Sequence, residues 1–455
     1  MADTVDVVVI GMGPGGEYVA GKLAEAGLAV VGVDQRLLGG ECPYYGCIPS
    51  KMIIRGANAL AEGRRVSTLA GHSSVEPDFT PVAARIRNEA TDNWDDRAAV
   101  DRFVGKGGRF LRGHGRITGP GAVTVTCADG AAVELVARRA ILLNTGTDPA
   151  VPPIPGLRES PYWTNRDILT VEKAPESLIV LGGGAIGCEL AQAFTRFGTR
   201  VTVVEGSPRL LSMEEPESSE LIDKAFTDEG IEVHTGRHVS AVRHGDGFTC
   251  EFDDGQITAR HLLVAAGRRT NLSDIGLDTI GLDPAAKFLD PDEHMRIADG
   301  VWAIGDITGK GAFTHMSMYQ GGIATRAILG KPGHGAEYHA VPRVTFTDPE
   351  VGSVGLTEAQ ARERGLTVRV ALTQIPDSSR GWIHKVGNTG IIKLVEDADR
   401  GVLVGATSAG PTGGEVLSAL VVAVHAEVPT SRLRELIYAY PTFHRAIETA
   451  VDHLS

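Results

Sequence analysis

The stretch Val7-Val8-Val9-Ile10-Gly11-Met12-Gly13-Pro14-Gly15-Gly16 decides the fold of the first part of this chain. The β-branched run at its start predicts a buried parallel strand. A helical pattern follows as far as Ala26, Gly27 breaks it, and a second strand over residues 29–33 ends in Asp34. A strand, a glycine turn, a helix and a strand that ends in an acid together predict a dinucleotide-binding unit.

The glycines of this turn each have a physical reason. Gly11 allows the tight turn, Gly13 lets backbone amides approach a pyrophosphate, and Gly16 lets the helix pack closely on the strand. The N-terminus of the helix offers N–H groups and the positive end of its dipole to the phosphates. Asp34 can hold both hydroxyls of an adenine ribose.

The same pattern occurs a second time. Residues 178–181 lead into Gly182-Gly183-Gly184-Ala185-Ile186-Gly187, then into a helix to about Phe197 and a strand over residues 201–204 that ends in Glu205. In both copies the acid follows the first glycine by 23 residues, since 34 − 11 and 205 − 182 are both 23. The sequence therefore implies two bound dinucleotides.

A third pattern runs Val301-Trp302-Ala303-Ile304-Gly305-Asp306 and predicts a strand that ends in Gly-Asp. A glycine-rich turn and a helix from about Thr314 follow it. Asp306 is well placed to bind a polyol such as ribitol. The alternative is that Asp306 caps the following helix.

Two cysteines follow the first unit, in Gly39-Gly40-Glu41-Cys42-Pro43-Tyr44-Tyr45-Gly46-Cys47-Ile48-Pro49-Ser50-Lys51. A loop that enters a helix can bring such a pair within disulfide reach. Pro49 suits the first turn of a helix, so Cys47 would lie at the positive helix end, which stabilises a thiolate. Lys51, four residues on, falls on the same face. Two buried cysteines or two zinc ligands are the alternatives, but no His or Cys cluster nearby completes a zinc site.

Composition excludes several classes of protein. The chain has 455 residues, enough for about three domains. A formal charge of −13, the lack of a long basic cluster and an aromatic content of 5% argue against a nucleic-acid partner. The N-terminus lacks the charged region of a signal peptide, and no apolar stretch approaches the ~20 residues that span a bilayer. We expect a cytoplasmic protein with no membrane partner, in which Cys127, Cys188 and Cys250 are small buried side chains.

These motifs together resemble the class I pyridine nucleotide–disulfide oxidoreductases, which include lipoamide dehydrogenase, glutathione reductase and mercuric reductase. The resemblance runs from Val7 to about Glu448 and includes Asn144-Thr145-Gly146, Ala265-Ala266-Gly267-Arg268 and Ala303-Ile304-Gly305-Asp306. It implies an α/β fold with two Rossmann-like dinucleotide-binding domains and a C-terminal α+β dimerisation domain. By this likeness the FAD-binding domain comprises residues 1–150 and 271–333, the NAD(P)-binding domain residues 151–270, and the dimerisation domain residues 334–455.

The resemblance also implies roles for individual residues. FAD would be held by Gly11, Gly13, Gly16, Asp34 and Asp306, and NAD(P)H by Gly182, Gly184, Gly187 and Glu205. Gly40, Gly146 and Gly267 belong to the same cofactor-binding motifs. Glu189 would lie beside the nicotinamide and pair with Lys51. Cys47 would be the charge-transfer thiol and Cys42 the interchange thiol that faces the acceptor. NADH is expected over NADPH because Glu205 would repel a 2′-phosphate, although Arg209 lies close in sequence.

The C-terminal motif departs from the family pattern. In the family a His-Pro-Thr sequence, with a Glu five residues after the His, comes from the partner subunit and supplies the general base for the interchange thiol. Here Tyr440 occupies the histidine position and Arg445 the glutamate position. His444 could take over as the base, or it could be a packing or surface histidine, and both alternatives stay open.

The leading hypothesis is an enzyme that passes electrons from NAD(P)H through FAD and the Cys42–Cys47 disulfide to a disulfide, a quinone or another small acceptor. Lipoamide dehydrogenase is the first alternative, and the missing base disfavours it because dithiol oxidation needs a base. A non-catalytic flavin redox sensor is the second, and the presence of both thiols and both nucleotide units argues against it. We expect a homodimer, because the last residues of the family's C-terminal domain complete the neighbour's site.

Overall fold

The computed structural model describes residues 2–454. Its strands, in chain order, are β1 Asp3–Ile10, β2 Val30–Asp34, β3 Arg109–Gly119, β4 Ala122–Cys127, β5 Ala132–Leu143, β6 Thr147–Pro149, β7 Ser177–Leu181, β8 Arg200–Glu205, β9 Glu232–Thr235, β10 Ala241–His244, β11 Phe248–Phe252, β12 Gly255–Ala259, β13 His261–Val264, β14 Arg268–Thr270, β15 Arg296–Ala298, β16 Val301–Ala303, β17 Pro342–Thr345, β18 Glu350–Gly355, β19 Val368–Gln374, β20 Ile391–Asp397 and β21 Val402–Gly410.

Its α-helices are α1 Pro14–Glu25, α2 Glu41–Tyr45, α3 Cys47–Leu69, α4 Thr80–Arg85, α5 Arg97–Gly105, α6 Asn165–Ile168, α7 Ala185–Arg196, α8 Pro216–Asp228, α9 Thr314–Ile328, α10 Glu358–Glu363, α11 Ser379–His384, α12 Gly413–His425, α13 Thr430–Arg434 and α14 Ala446–Asp452. A π-helix spans Ile86–Ala90. Among the residues described, none of the helices is long and apolar enough to cross a membrane.

The chain forms two compact units. The first comprises the residues up to Pro49 together with Ala84–Pro149 and Arg268–Tyr338. Its main sheet contains the parallel neighbours β3, β2, β1, β5 and β16, in that order, and β4 joins β3 and β5 as an antiparallel excursion. Val7, Val8 and Val9 of β1 are all fully buried, as the β-branched run predicts for a strand that is covered on both faces.

The second unit comprises Ser50–Ala83, Ala150–Gly267 and the residues from His339 onward. It contains a parallel sheet in the order β13-β7-β8-β9 and an antiparallel sheet in the order β17-β18-β21-β20-β19. Helix α7 follows β7 directly after the second glycine turn, as the repeated sequence pattern predicts. The boundaries of the three predicted domains stay a prediction, and residues 50–83 of the predicted FAD-binding segment belong to this second unit.

Two local predictions need correction. Cys42 lies on the short helix α2 rather than in a loop, with its neighbours Glu41 and Tyr45 at the ends of that helix. Cys188 and Cys250 are buried as predicted, but Cys127 is only partly buried. Cys127 is the last residue of β4, where the chain turns back toward β5. It is therefore less buried than the apolar residues around it in the sequence led us to expect.

Candidate active site

The first glycine turn lies between β1 and α1 and is closely packed. Gly11 has a φ of +95°, and a Cβ at this position would lie 2.2 Å from the backbone oxygen of Asn144. A Cβ on Gly16 would lie 2.0 Å from the backbone oxygen of Gly11. The helix N-cap is Gly13, which has no side chain to bond to the first N–H groups of α1. This turn therefore fits a phosphate that approaches the helix start.

Asp34 closes the same turn. Its Oδ2 accepts a hydrogen bond from the N–H of Met12 at 2.8 Å, and its Oδ1 accepts one from the N–H of Arg36 at 2.8 Å. Burial raises the pKa of the Asp34 carboxyl, and these N–H groups together with the charges of Arg112 and Arg36 offset part of the rise. The acid is thus fixed at the end of β2, beside the glycine turn.

The second glycine turn repeats this geometry within the second unit. A Cβ on Gly182 would lie 2.4 Å from the backbone oxygen of Ala265, and a Cβ on Gly187 would lie 1.9 Å from that of Gly182. Glu205 accepts hydrogen bonds from the N–H of Gly183 at 2.5 Å and from that of Ser207 at 2.6 Å. In both turns the carboxylate therefore accepts the same two hydrogen bonds. One comes from the N–H of the residue after the first glycine, and the other from the N–H of the residue two positions after the acid.

We expect Gly11→Ala to lose most of its bound FAD, because the new methyl group must displace the backbone at Asn144. The backbone strain of a positive φ adds about 1 kcal/mol or more. Gly27→Ala is the matched control, since Gly27 has a φ of +87° but open space around its Cβ direction. The ratio of flavin to protein absorbance in the purified variants measures the difference, and equal flavin contents would contradict the prediction.

Asp306 belongs to a polar chain in the first unit. Its Oδ2 accepts a hydrogen bond from Thr147 Oγ1 at 2.7 Å, and Thr147 Oγ1 accepts one from Arg268 Nε at 2.6 Å. Arg268 also forms an ion pair with Glu41, with Nη2 2.5 Å from Oε2. Asp306 does not cap α9, whose N-cap residue is Phe313. This series of polar contacts connects the end of β16 with Glu41, the residue that precedes Cys42.

The two thiols lie at consecutive helices. Cys42 is partly buried on α2, and Cys47 is exposed at the first position of the 23-residue helix α3. Cys47 Sγ lies 3.4 Å from Thr314 Oγ1 at the start of α9. The predicted placement of Cys47 at a helix N-terminus is present, with Pro49 in the first turn, and a hydroxyl that the sequence did not point to lies beside the sulfur.

Lys51, one turn further along α3, contacts a buried acid. Its Nζ lies 2.7 Å from Glu189 Oε2, and Glu189 is only 5% exposed. The second oxygen of Glu189 accepts a hydrogen bond from the N–H of Phe346 at 2.9 Å, and Lys51 Nζ lies 4.7 Å from the centre of the Phe346 ring. The structure therefore brings together the two residues that the resemblance pairs.

In the second unit, Tyr440 lies in a turn and His444 lies in the 3₁₀ helix Phe443–Arg445. Tyr440 is 67% exposed, and the Arg445 guanidinium carbon lies 5.4 Å from the centre of its ring. Arg445 Nη2 also lies 2.8 Å from a carboxylate oxygen of Glu448. His444 Nε2 lies 3.4 Å from Thr442 Oγ1. The two residues that replace the family's His and Glu thus contact each other, as a phenol and a guanidinium.

The remaining predicted glycines directly precede short elements, Gly40 before α2, Gly146 before β6 and Gly267 before β14. Gly40, Gly146 and Gly267 have φ values of +68°, +65° and +112°. A Cβ on Gly40 would lie 2.7 Å from the Cα of Gly13, so Gly40 packs directly against the first glycine turn. Gly146 and Gly267 have open space at this position.

Comparisons with known proteins cover the whole chain. Residues 5–321 match the family model described as "Pyridine nucleotide-disulphide oxidoreductase", and residues 341–451 match the dimerisation domain of the same description. A dihydrolipoyl dehydrogenase from Zymomonas mobilis is 34% identical over 99% of this chain and 98% of its own length. A mercuric reductase from Streptomyces lividans is 31% identical over 98% and 95%. The crystal structure of LpdA from Mycobacterium tuberculosis superimposes with a TM-score of 0.87 at 25% identity, over 99% of this chain and 100% of that one.

Proposed function

The chain belongs to the pyridine nucleotide-disulphide oxidoreductase family, and from this premise we propose that it passes electrons from NADH, through FAD and the Cys42–Cys47 pair, to a small acceptor. Membership makes it an NAD(P)H-dependent flavoprotein oxidoreductase with the α/β fold of that family.

The observation that carries the proposal is the position of Cys47. A thiol at the first residue of a long helix lies in the field of the helix dipole, which favours the thiolate. Thr314 Oγ1, at 3.4 Å, can donate a hydrogen bond to that thiolate. Both features suit a sulfur that holds negative charge between two electron transfers.

Bound FAD supplies the relay between a hydride donor and a thiol pair. Gly11, Gly13 and the start of α1 would hold its pyrophosphate, Asp34 its adenine ribose, and Asp306 its ribitol. Thr147 keeps the Asp306 carboxylate in one orientation through the 2.7 Å hydrogen bond. Lys51 and Glu189 would act as a pair on the nicotinamide side, since each fixes the other's charge at 2.7 Å.

A disulfide acceptor would be reduced by two successive thiol–disulfide exchanges. The Cys42 thiolate attacks one acceptor sulfur, the acceptor S–S bond breaks, and the departing thiolate takes a proton. The Cys47 thiolate then attacks the Cys42 sulfur, which releases the second thiol and restores the Cys42–Cys47 disulfide. The two electrons come from NADH, so one NADH, one proton and one disulfide give NAD⁺ and two thiols.

We expect NADH to be preferred over NADPH. Glu205 is fixed by two backbone N–H groups at the place where an adenine ribose binds, and its charge would repel a 2′-phosphate. Arg209 does not offset this, because its guanidinium donates to the carbonyls of Leu211, Ser212 and Glu214 and to Ser219 Oγ at 2.6 to 3.2 Å. The test is anaerobic reduction with each nucleotide, followed by thiol titration and by kcat/KM.

NADH should release two titratable thiols per chain, and kcat/KM should favour NADH by on the order of tenfold or more, the scale of one charge-assisted contact. Glu205→Gln should narrow that ratio, whereas Glu232→Gln, a change of an exposed carboxylate on the neighbouring strand β9, should not. A clear NADPH preference would refute the assignment of Glu205. NADH oxidation with no new thiols would refute the proposed function.

Dihydrolipoamide oxidation is the second candidate, because relatives with that name align over nearly the whole chain. The arrangement at Tyr440 argues against it. Tyr440 offers a hydroxyl where the family has an imidazole, and histidine is the side chain best suited to act as a general base near neutral pH. We therefore place acceptors that need no thiol interchange, quinones first, ahead of dihydrolipoamide.

We further propose that the protein is a homodimer. The matched dimerisation domain carries large apolar side chains that are exposed in the single chain, including Ile437 at 95%, Trp382 at 74% and Val422 at 63%. Exposed apolar surface of this kind is typical of a protein–protein interface. A second copy of this chain would cover it.

A further inference from the structure

A cavity of about 450 Å³ lies beside Cys42 in the first unit. This volume is within the range of small-molecule sites. Pro14, Leu38 and Pro43 contribute apolar surface, and Tyr44 lines the cavity together with Cys42. The cavity is therefore a route by which a small molecule can approach the thiol that the proposed function assigns to the acceptor.

The lining of this cavity carries net negative charge. It contains the carboxylates of Glu17, Glu89, Asp92 and Asp95. Among the lining residues that the structure describes, Arg102 is the one cation, and its Nη2 lies 2.6 Å from Glu17 Oε1. Four acids against one base leave a net charge of −3 on the lining.

The other arginines that pair with these acids lie outside the lining. Arg85 contacts Glu89 at 3.2 Å, and Arg97 contacts Asp95 at 2.6 Å, with side chains 48% and 84% exposed. These pairs reduce the contribution of Glu89 and Asp95 to the field, so among the described residues Asp92 is the lining acid with no ion pair. Burial raises the pKa of Tyr44 to about 12, with the charges of Asp96 and Glu17 adding to the effect, so this phenol stays neutral.

The segment that carries the acids is hydrogen-bonded to α2, the helix of Cys42. It is built by the π-helix Ile86–Ala90 and by Asp92, Asn93 and Trp94, whose φ values are +46°, +56° and +57°. Three successive residues in the left-handed region are costly, and such backbone is retained mostly at functional sites, as π-helices are. Trp94 Nε1 donates a hydrogen bond to the backbone oxygen of Tyr44 at 3.2 Å, which ties this segment to α2.

Building on the proposed function, we propose that this cavity selects the electron acceptor by charge. It admits neutral and cationic molecules to Cys42 and repels anionic ones. Charge that lines a cleft changes the local concentration and association rate of a charged ligand by roughly 10- to 1,000-fold, and the effect falls with ionic strength. The acceptor class that follows is a small neutral or cationic oxidant, and an anionic disulfide is excluded.

The test uses three thiol reagents with one reactive group and different charges, on the dithiothreitol-reduced and desalted Cys47→Ser protein, in which no second thiol can displace the reagent from Cys42. They are 2-aminoethyl methanethiosulfonate, methyl methanethiosulfonate and 2-sulfonatoethyl methanethiosulfonate, which are cationic, neutral and anionic. Each gives a mixed disulfide with the Cys42 thiolate and releases methanesulfinate. Peptide mass spectrometry gives the rate at Cys42, and free cysteine in solution gives the intrinsic rate of each reagent.

After this correction the cationic reagent should modify Cys42 at least about tenfold faster than the anionic one at low salt. The difference should shrink in ~1 M salt, where the Debye length is about 3 Å. Asp92→Asn should narrow the difference in rate, because it removes one negative charge from the lining. Asparagine is chosen because it tolerates the left-handed backbone at this position. The control Asp101→Asn removes one exposed charge on α5 outside the cavity lining and should leave the difference unchanged.

Equal corrected rates of Cys42 modification by the cationic and anionic reagents would overturn charge selection. It would also be overturned if Asp92→Asn and Asp101→Asn changed the difference between these rates equally. The enzyme reaction gives a separate readout with cystamine, 2-hydroxyethyl disulfide and 3,3′-dithiodipropionate, three disulfides that carry positive, zero and negative charge. A reagent preference without NADH-dependent turnover of any acceptor would refute the proposed function while charge selection stands. Equal kcat/KM for all three disulfides would count against charge selection alone.

Discussion

Replacement of Cys47 by serine should reduce thiol-dependent turnover to the background of the uncatalysed reaction. A serine hydroxyl does not ionise near neutral pH, so the position at the start of α3 would hold no anion for the helix dipole and Thr314 to stabilise. The long-wavelength absorption that a thiolate beside a flavin gives on two-electron reduction should disappear as well. Reductive titration followed by absorbance, together with acceptor turnover, measures both effects.

Cys127→Ser is the matched control for this experiment. Cys127 lies in the same unit, is partly buried and has no place in the proposed electron path. It should retain both the absorption band and the turnover. A Cys47→Ser protein that kept the band unchanged would show that Cys47 is not the charge-transfer thiol.

Restoration of the family's base should raise dihydrolipoamide oxidation by on the order of 10²–10⁴, the usual contribution of one general base. The change is Tyr440→His combined with Arg445→Glu. It replaces the exposed phenol and its stacked guanidinium with an imidazole and a carboxylate that can orient it. The measurement is kcat with dihydrolipoamide and NAD⁺, compared with NADH turnover of a quinone, which should change little.

Two single variants separate the candidates for the existing base. If His444 has taken over, His444→Ala should lower disulfide turnover to a similar extent, while Tyr440→Phe should be mild. In the structure, His444 Nε2 lies 3.4 Å from Oγ1 of Thr442, the N-cap of its own 3₁₀ helix. Efficient dihydrolipoamide oxidation by both the wild type and His444→Ala would show that the altered motif has no catalytic meaning.

The parts of the site that sequence could predict are those with a local signal. The glycine turns, the acids 23 residues further on and the proline in the first turn of α3 each follow from spacing within a short segment. The pair of Lys51 and Glu189 spans 138 residues and could be expected only through the family resemblance. The helical conformation of Cys42 was missed because Gly40, Pro43 and Gly46 around it indicate a loop.

The other contacts have no local signal at all. Thr314 lies 267 residues from Cys47, and Arg268 lies 227 residues from Glu41, so only the folded sheet brings each pair together. The same holds for Trp94 and the carbonyl of Tyr44, which lie 50 residues apart on segments of different conformation. A threonine at the start of a helix and an arginine at the start of a strand are too common in sequences to predict such contacts.

The way in which Asp34 and Glu205 hold their glycine turns has a consequence for the entropy of cofactor binding. Each carboxylate already accepts hydrogen bonds from two backbone N–H groups, which fix the side chain in one rotamer. A ribose that binds there would not have to fix it. Freezing a mobile side chain on binding costs about 0.5–1.5 kcal/mol. The two proposed nucleotide sites would avoid that cost, because the conformations of the two carboxylates are fixed when the protein folds.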